Sequence, residues 1–236
     1  MAKLSHNKLA TRDQVTAHFR SGMTLLAGGF GSAGFPTMLY EWLYDTACTD
    51  LDIITSGVAP PDKPFQLGFA HLLRDHRIRS LTLTHAANNP EVGRQMVEGT
   101  LRVEAVPQGT FVERIRAGGA GLGGVLTPTG VGTSVARGKQ VLHLDGRDYL
   151  LERPIRAEVA ILRAEKADKM GNLMFRHTSR NYNTVIPTAA DVVIVEVPEE
   201  QIVEVGQMRD CEVMVPGIFV DLIAPIPKGG QFFERT

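Results

Sequence analysis

The chain has 236 residues, 43% of them hydrophobic and 22% charged, with 25 basic against 26 acidic side chains and a formal net charge of −1. That is enough apolar sequence for one large domain, expected to span 1–236, and the even mixing of charge argues against nucleic acid as a partner. No apolar run approaches the roughly 20 residues of a membrane helix, and two distant cysteines, Cys48 and Cys211, in no Cys-x-x-Cys pattern, point to a reducing cytoplasm.

The mildly basic start (Lys3, His6, Lys8, Arg12, Arg20) reads as an amphipathic first helix rather than a transit peptide, because Val15 and Phe19 keep helical spacing. Thr11 or Asp13 is its expected cap and Arg20 its approximate end. The run 23–27 is short enough for a buried strand. It leads straight into Gly28, Gly29, Gly31 and Gly34, and Pro36 then opens a helix over 37–44 with Met38, Leu39, Trp42 and Leu43 on its apolar spacing. A strand, a glycine turn and a helix N-terminus together present backbone N–H groups to an anion or a carbonyl oxygen.

Strand 51–55 follows, then a loop over 56–64 broken by Gly57, Pro60, Pro61 and Pro64, and a helix over 65–73. Strand 78–84 ends in the polar loop 85–89; helix 90–98 and strand 101–106 come next. Pro107-Gln108-Gly109 leads into a helix expected over 110–117, with Thr110 as N-cap and Glu113 completing a capping box. Five glycines in 118–124 and the turn-rich loop 127–133 have the length and chemistry of functional loops. Segments 141–144 and 149–151 form a hairpin around Asp145-Gly146. Strands are expected at 159–164 and 191–197, a mixed polar stretch at 167–183, a last apolar segment at 216–224, and a surface tail from Pro225. Strands alternating with helices imply an α/β fold, an open and mostly parallel sheet covered by helices on both faces. Ligands bind at the carboxyl edge of such sheets. The turn after 27, the loop after 84, Gln108 and the loop 127–133 belong on that edge.

The chemical motifs narrow the choice. Gly29-Phe30-Gly31-Ser32-Ala33-Gly34 fits the dinucleotide pattern, but the next strand ends in Ile54-Thr55-Ser56 without the acidic residue that would hold a ribose. The seven histidines have no metal-ligand spacing, so no metal is expected, and neither a phosphate loop nor a serine-nucleophile elbow occurs. A glutamine at a strand-to-helix turn aims an amide N–H outward, the donor an oxyanion site needs. Arg176, Arg180, Asn181 and Asn183 read as a solvated or subunit-contacting face.

The order of blocks then resembles one family. Gly22-x-x-Leu25-Leu26-Ala27-Gly28-Gly29-Phe30-x-x-x-Gly34-x-Pro36 is similar to the signature of family I coenzyme A transferases, in their alpha half. That signature usually starts with Asp or Asn where Ser21 stands. The likeness continues through 106–110, 113–121, 127–133, Lys166-Ala167-Asp168-Lys169-x-Gly171-Asn172-Leu173, Arg180-Asn181-Tyr182-Asn183, 190–196 and 216–220. It is weakest over 56–100, whose loops are expected to face the acyl group.

The resemblance implies a fold shared with sugar-phosphate isomerases and half of an enzyme that moves coenzyme A between two carboxylic acids. In the family a glutamate attacks the acyl thioester, and the reaction passes through glutamyl-CoA by a ping-pong route. That glutamate lies in the beta half, in a Ser-Glu-Asn-Gly-like motif; no Glu-Asn-Gly occurs here, and Glu204-Val205-Gly206 lacks both the Ser and the Asn. The resemblance therefore implies a beta-subunit partner in an αβ or α₂β₂ assembly, acyl-CoA and carboxylic acid as substrates, and no permanently bound cofactor. Gln108 is the expected oxyanion donor, and Gly28, Gly29, Phe30, Gly31, Ser32, Ala33 and Gly34 the expected coenzyme A and acyl contacts. The alternatives are a non-catalytic domain sensing a CoA ester or sugar phosphate on the same fold, and one component of a nicotinamide-dependent oxidoreductase.

Overall fold

The computed structural model describes residues 6–58, 67–86 and 89–229. In chain order the first elements are α1 (Arg12–Thr16), β1 (Thr24–Ala27), α2 (Thr37–Asp45), β2 (Leu51–Thr55), α3 (Leu67–Arg74), β3 (Ile78–Leu83), α4 (Pro90–Glu98), β4 (Arg102–Ala105) and α5 (Gln108–Gly119). Then come β5 (Val125–Thr127), β6 (Val141–Leu144), β7 (Arg147–Glu152), β8 (Ala157–Arg163), β9 (Lys166–Asp168), β10 (Leu173–Met174), β11 (Ala190–Pro198), β12 (Ile202–Val203) and β13 (Leu222–Ile226). Short 3₁₀ turns connect β10 to β11.

Seven strands form one sheet in the order β13-β11-β8-β1-β2-β3-β4, and every pairing in it is parallel. β1 is the middle strand. Its side chains alternate between two cores, as a period of two requires. Leu25 and Ala27 pack with Met38, Leu39 and Leu43 of α2, Phe69 and Leu72 of α3, and Val92 of α4. Leu26 faces the other way, onto Phe111 and Ile115 of α5 and onto Ile186 and Ala189. Each such leucine or phenylalanine, buried from water, contributes about 2 kcal/mol. Helices therefore cover both faces, as the alternation implies.

The second half departs from simple alternation. β5, β7 and β6 form a small antiparallel sheet, and β10, β9 and β12 another three-stranded one. The β6–β7 hairpin turns at Asp145 (φ 49°) and Gly146 (φ 75°). Two adjacent residues with positive φ suit a tight hairpin.

Several boundaries differ from expectation. α1 is capped by Thr11, whose side chain accepts from the Gln14 N–H, but it stops at Thr16. Bonds from His18 to Val15 and from Phe19 to Thr16 tighten the chain there into a turn, which still delivers Phe19 to the core. The fifth helix starts two residues early. Pro107 is its N-cap, its carbonyl accepts the first helical bond from Phe111 at 2.8 Å, and Thr110 is already inside the helix and buried. Thr110 therefore caps nothing, and Glu113 pairs instead with Arg116 at 3.1 Å. The last strand runs through Pro225 to a buried Ile226, so the surface tail starts later. Residues 59–66, Ala87, Asn88 and the tail beyond 229, parts of expected loops and of the helix at 65–73, lie outside the described residues.

Candidate functional site

The glycine turn leaves the middle strand at the carboxyl edge of the sheet. Gly29 (φ 97°), Gly31 (φ 60°) and Gly34 (φ 64°) occupy the left-handed region that side chains avoid. Gly28 is there for a different reason: a Cβ on it would lie 1.8 Å from Asn183 Oδ1. Phe30 and Ala33 exchange backbone hydrogen bonds of 3.1 Å, closing the turn on itself. Ser56 Oγ, at the end of β2, donates to the Gly29 carbonyl at 2.7 Å. Gly28 and Gly29 are buried; Phe30 and Gly31 are exposed.

The expected row of open N–H groups is only partly open. Gly28 donates to the Ile161 carbonyl at 3.0 Å, within the sheet. At the N-terminus of α2 the anion is internal. Glu196 of β11, fully buried, accepts from the Leu39 N–H at 2.9 Å and from Arg163 at 3.3 Å. Burial pushes the Glu196 carboxyl up to about 7, against the opposing pull of Arg163 and the Leu39 and Met38 N–H groups. What stays open is the crest. The N–H groups of Gly29, Gly31, Ser32 and Gly34 donate to no other described residue.

Gln108 is the first residue of α5, exposed, and its carboxamide bonds no other described residue. It sits on the same edge as the turn, three strands away in the sheet order, about 14 Å at the usual spacing. α5 closes part of that gap by leaning back over the sheet. Its Phe111 meets the Tyr182 ring edge-on at 5.4 Å, and Tyr182 in turn lies 6.2 Å from the Phe30 ring. The turn and the Gln108 helix are thus joined through one aromatic residue, without direct contact between Gln108 and the turn. The first part of the loop 127–133 also reaches this edge. Thr127 and Thr129 line a groove of about 480 Å³ with Gly109, Thr110 and Glu113.

Sequence reasoning gave Tyr182 and Glu196 no role of their own, and it placed Asn183 on a solvated or subunit-contacting face, whereas Asn183 is fully buried and bonded to the glycine turn. The signal for Glu196 was present, since an acidic residue inside a run of valines and isoleucines is almost never fully buried without a partner. For Tyr182 and Asn183 there was no periodic pattern to read. Among the described residues no group of three metal-ligating side chains occurs, and no helix is long and apolar enough to cross a membrane.

Comparison with known proteins agrees with this fold. The family model described as Coenzyme A transferase matches residues 9–224. The alpha subunit of the acetate CoA-transferase of Escherichia coli (strain K12) is 45% identical over 216 residues, covering 92% of this chain and 96% of that protein. The corresponding subunit of the probable succinyl-CoA:3-ketoacid coenzyme A transferase of Bacillus subtilis (strain 168) is 42% identical over 212 residues, 90% of this chain and 87% of that one. Among solved structures, an acyl-CoA transferase from E. coli O157:H7, captured as a thioester complex with CoA, superposes with a TM-score of 0.79 at 18% identity. The match covers 94% of this chain and 47% of that longer chain, a likeness of fold alone.

Proposed function

This chain belongs to the coenzyme A transferase family, and from that premise we propose that it is the alpha half of a CoA-transferase, acting as one domain over 1–236 in a reducing cytoplasm. The observation that carries the reading is the family match over 9–224 in a sequence without a Glu-Asn-Gly. The nucleophile then comes from a beta subunit, in an αβ or α₂β₂ assembly, and coenzyme A is a substrate rather than a resident cofactor. The substrates are an acyl-CoA, such as succinyl-CoA, and a short-chain or 3-oxo acid. The names of the relatives at 45% and 42% identity support this.

The route is covalent and ping-pong. The partner's glutamate carboxylate attacks the thioester carbonyl, and coenzyme A leaves as thiolate. The thiolate returns to the glutamyl carbonyl, the acid departs, and the second acid reverses both steps. Each attack puts negative charge on a carbonyl oxygen. On this chain the open N–H groups of the glycine turn and the Gln108 carboxamide supply donors along one edge, with Phe30 and Tyr182 between them as an apolar wall. Gly28 to Gly34 would contact the coenzyme A and acyl portions.

The test is reconstitution. Purified alone, the chain should transfer no coenzyme A between succinyl-CoA and acetoacetate; co-expressed with a CoA-transferase beta subunit it should. Robust activity of the isolated chain would refute the half-enzyme reading.

A further inference from the structure

The segment from 176 to 183 carries polar residues that the proposed reaction does not use. It crosses over the glycine turn and bonds to it at two points. Asn181 Nδ2 donates to the Ala33 carbonyl at 3.1 Å. Asn183 Nδ2 donates to the Gly34 carbonyl at 3.1 Å and to the Ser179 carbonyl at 2.9 Å. These two bonds fix the orientation of the Asn183 amide, since a flip would set its oxygen against two carbonyls.

Two features of Asn183 are costly for folding alone. It is fully buried, and its Oδ1 has no hydrogen-bond partner among the described residues. Leaving a buried acceptor unpaired forfeits its hydration with nothing in return. The same oxygen fills the space beside Gly28 that a Cβ would need, and a Cβ on Gly34 would meet Asn183 Nδ2 at 2.6 Å. Turn and strap are therefore shaped to each other. What the cost secures is two peptide planes. A trans peptide points its C=O and the following N–H in opposite directions. Asn181 shares the Ala33 carbonyl with the Phe30 N–H, and together they point the Gly34 N–H away from the strap. That N–H donates to no described residue.

We propose that Asn181 and Asn183 are positioning residues that act through the glycine turn, fixing its peptide planes so that the Gly34 N–H meets the developing oxyanion. The inference rests on the reading that the turn serves acyl transfer, and it names the device that orders the turn before substrate arrives. A donor ordered in advance contributes in the transition state more than in substrate binding.

The experiment pairs kinetics with hydrogen exchange. In the complex with its beta partner, Asn183→Ala should lower kcat about 10–100-fold, the scale of a small misplacement at a reacting centre, with KM for succinyl-CoA changed less than about threefold. In the full chain, the amides of Phe30 and Ala33, the hydrogen-bonded pair within 29–34, should exchange at least about tenfold faster while those of 24–27 stay as in the parent. Gly28→Ala alone should destabilise the chain, because its Cβ collides with Asn183. Gly28→Ala with Asn183→Ala should recover the melting temperature but not the turnover; a merely structural role would return both together.

Should Asn183→Ala fail to fold, Asn181→Ser, at a half-buried position, carries the same kinetic and exchange expectations. Unchanged kcat, unchanged exchange at Phe30 and Ala33, or recovery of turnover in the double variant would overturn the inference. Gln108→Ala in the same complex separates the levels. If it abolishes turnover while the asparagine variants do not, only the positioning role falls. If neither changes turnover, the reading of the edge as the reaction site falls with it.

Discussion

Gly118 and Gly119 end α5, where alanine would be the better helix former by about 1 kcal/mol at each position. The helix keeps them because of what lies against it. A Cβ on Gly118 would come within 1.9 Å of the Ile155 carbonyl oxygen, and one on Gly119 within 2.0 Å of Thr188 Oγ1. The Ile155 oxygen is backbone and moves only with the start of the next strand. Gly118→Ala should therefore destabilise by about 1–3 kcal/mol despite its propensity gain, read from urea unfolding; a neutral or stabilising result would mean that α5 does not pack this closely. Gln108 behaves oppositely. It is exposed and bonds no described residue, so Gln108→Ala should leave stability within about 0.5 kcal/mol. In the complex it should cut kcat by about 10²–10³, the effect of removing one oxyanion donor. Equal kcat in parent and variant would remove Gln108 from the chemistry.

At the scale of elements, α2 depends on a residue 157 positions away in sequence. Its N-terminus has no side-chain cap of its own, and Pro36 precedes it. Glu196 supplies the acceptor, from a strand two places away in the sheet. Because burial raises that carboxyl to about 7, the folded protein holds a proton that the unfolded chain has released above its ordinary value of 4.5. The sign follows: the stabilisation is fully present below about 4.5 and is lost as pH rises through about 7. Glu196→Gln keeps an acceptor and removes the titration. Its unfolding free energy should match the parent near pH 4.5 and exceed it near pH 8, by an amount on the order of 3 kcal/mol. Parallel pH profiles for parent and variant would show that the carboxyl titrates as an ordinary one.

The same element shows what a sequence conceals. The apolar runs at 51–55, 78–84 and 191–197 and the Pro36 helix start were legible, because each element carries its own period or breaker. The parallel sheet and its carboxyl edge follow from them. The partner of the α2 amides was not legible, since nothing local links Glu196 to residues 38 and 39. Thr110 was misread for a related reason: a capping box is a local pattern, but the Pro107 carbonyl had already started the helix and the core had claimed the threonine. The glycine turn was read correctly as a turn, yet the strap that orders it has no periodicity, so only the folded chain brings 181 and 183 onto 33 and 34.

At the scale of the molecule, residues 8–10 extend the large sheet beside β13. Leu9 pairs in parallel with Ile223; the Ala10 N–H donates to the Ile223 carbonyl at 2.9 Å, and the Ile223 N–H to the Lys8 carbonyl at 2.7 Å. The Lys8 N–H reaches the Lys169 carbonyl at 2.9 Å, so the same short segment also touches the β9 side. Lys8 itself is buried, and its ammonium donates to the Gly217 and Val220 carbonyls at 2.6 and 2.9 Å. An early segment thus ties down β13, which among the described residues otherwise pairs only with β11. Deleting residues 1–10 removes at least these five hydrogen bonds among the described residues (three backbone, two from the ammonium), at about 1 kcal/mol each, and uncovers one edge of β13. At about 2–4 °C per kcal/mol for a chain of this size, the melting temperature should fall by roughly 10 °C or more. Lys8→Met separates the two contributions. It keeps the backbone pairing and the aliphatic stem but leaves two carbonyls without their donor, so about half of that loss should remain. Hydrogen exchange should quicken first at 217–224 and last at 24–27, since the middle strand keeps both neighbours. Exchange that quickens evenly along the sheet, or a melting temperature unmoved by the deletion, would mean that β13 is held by its contact with β11 alone.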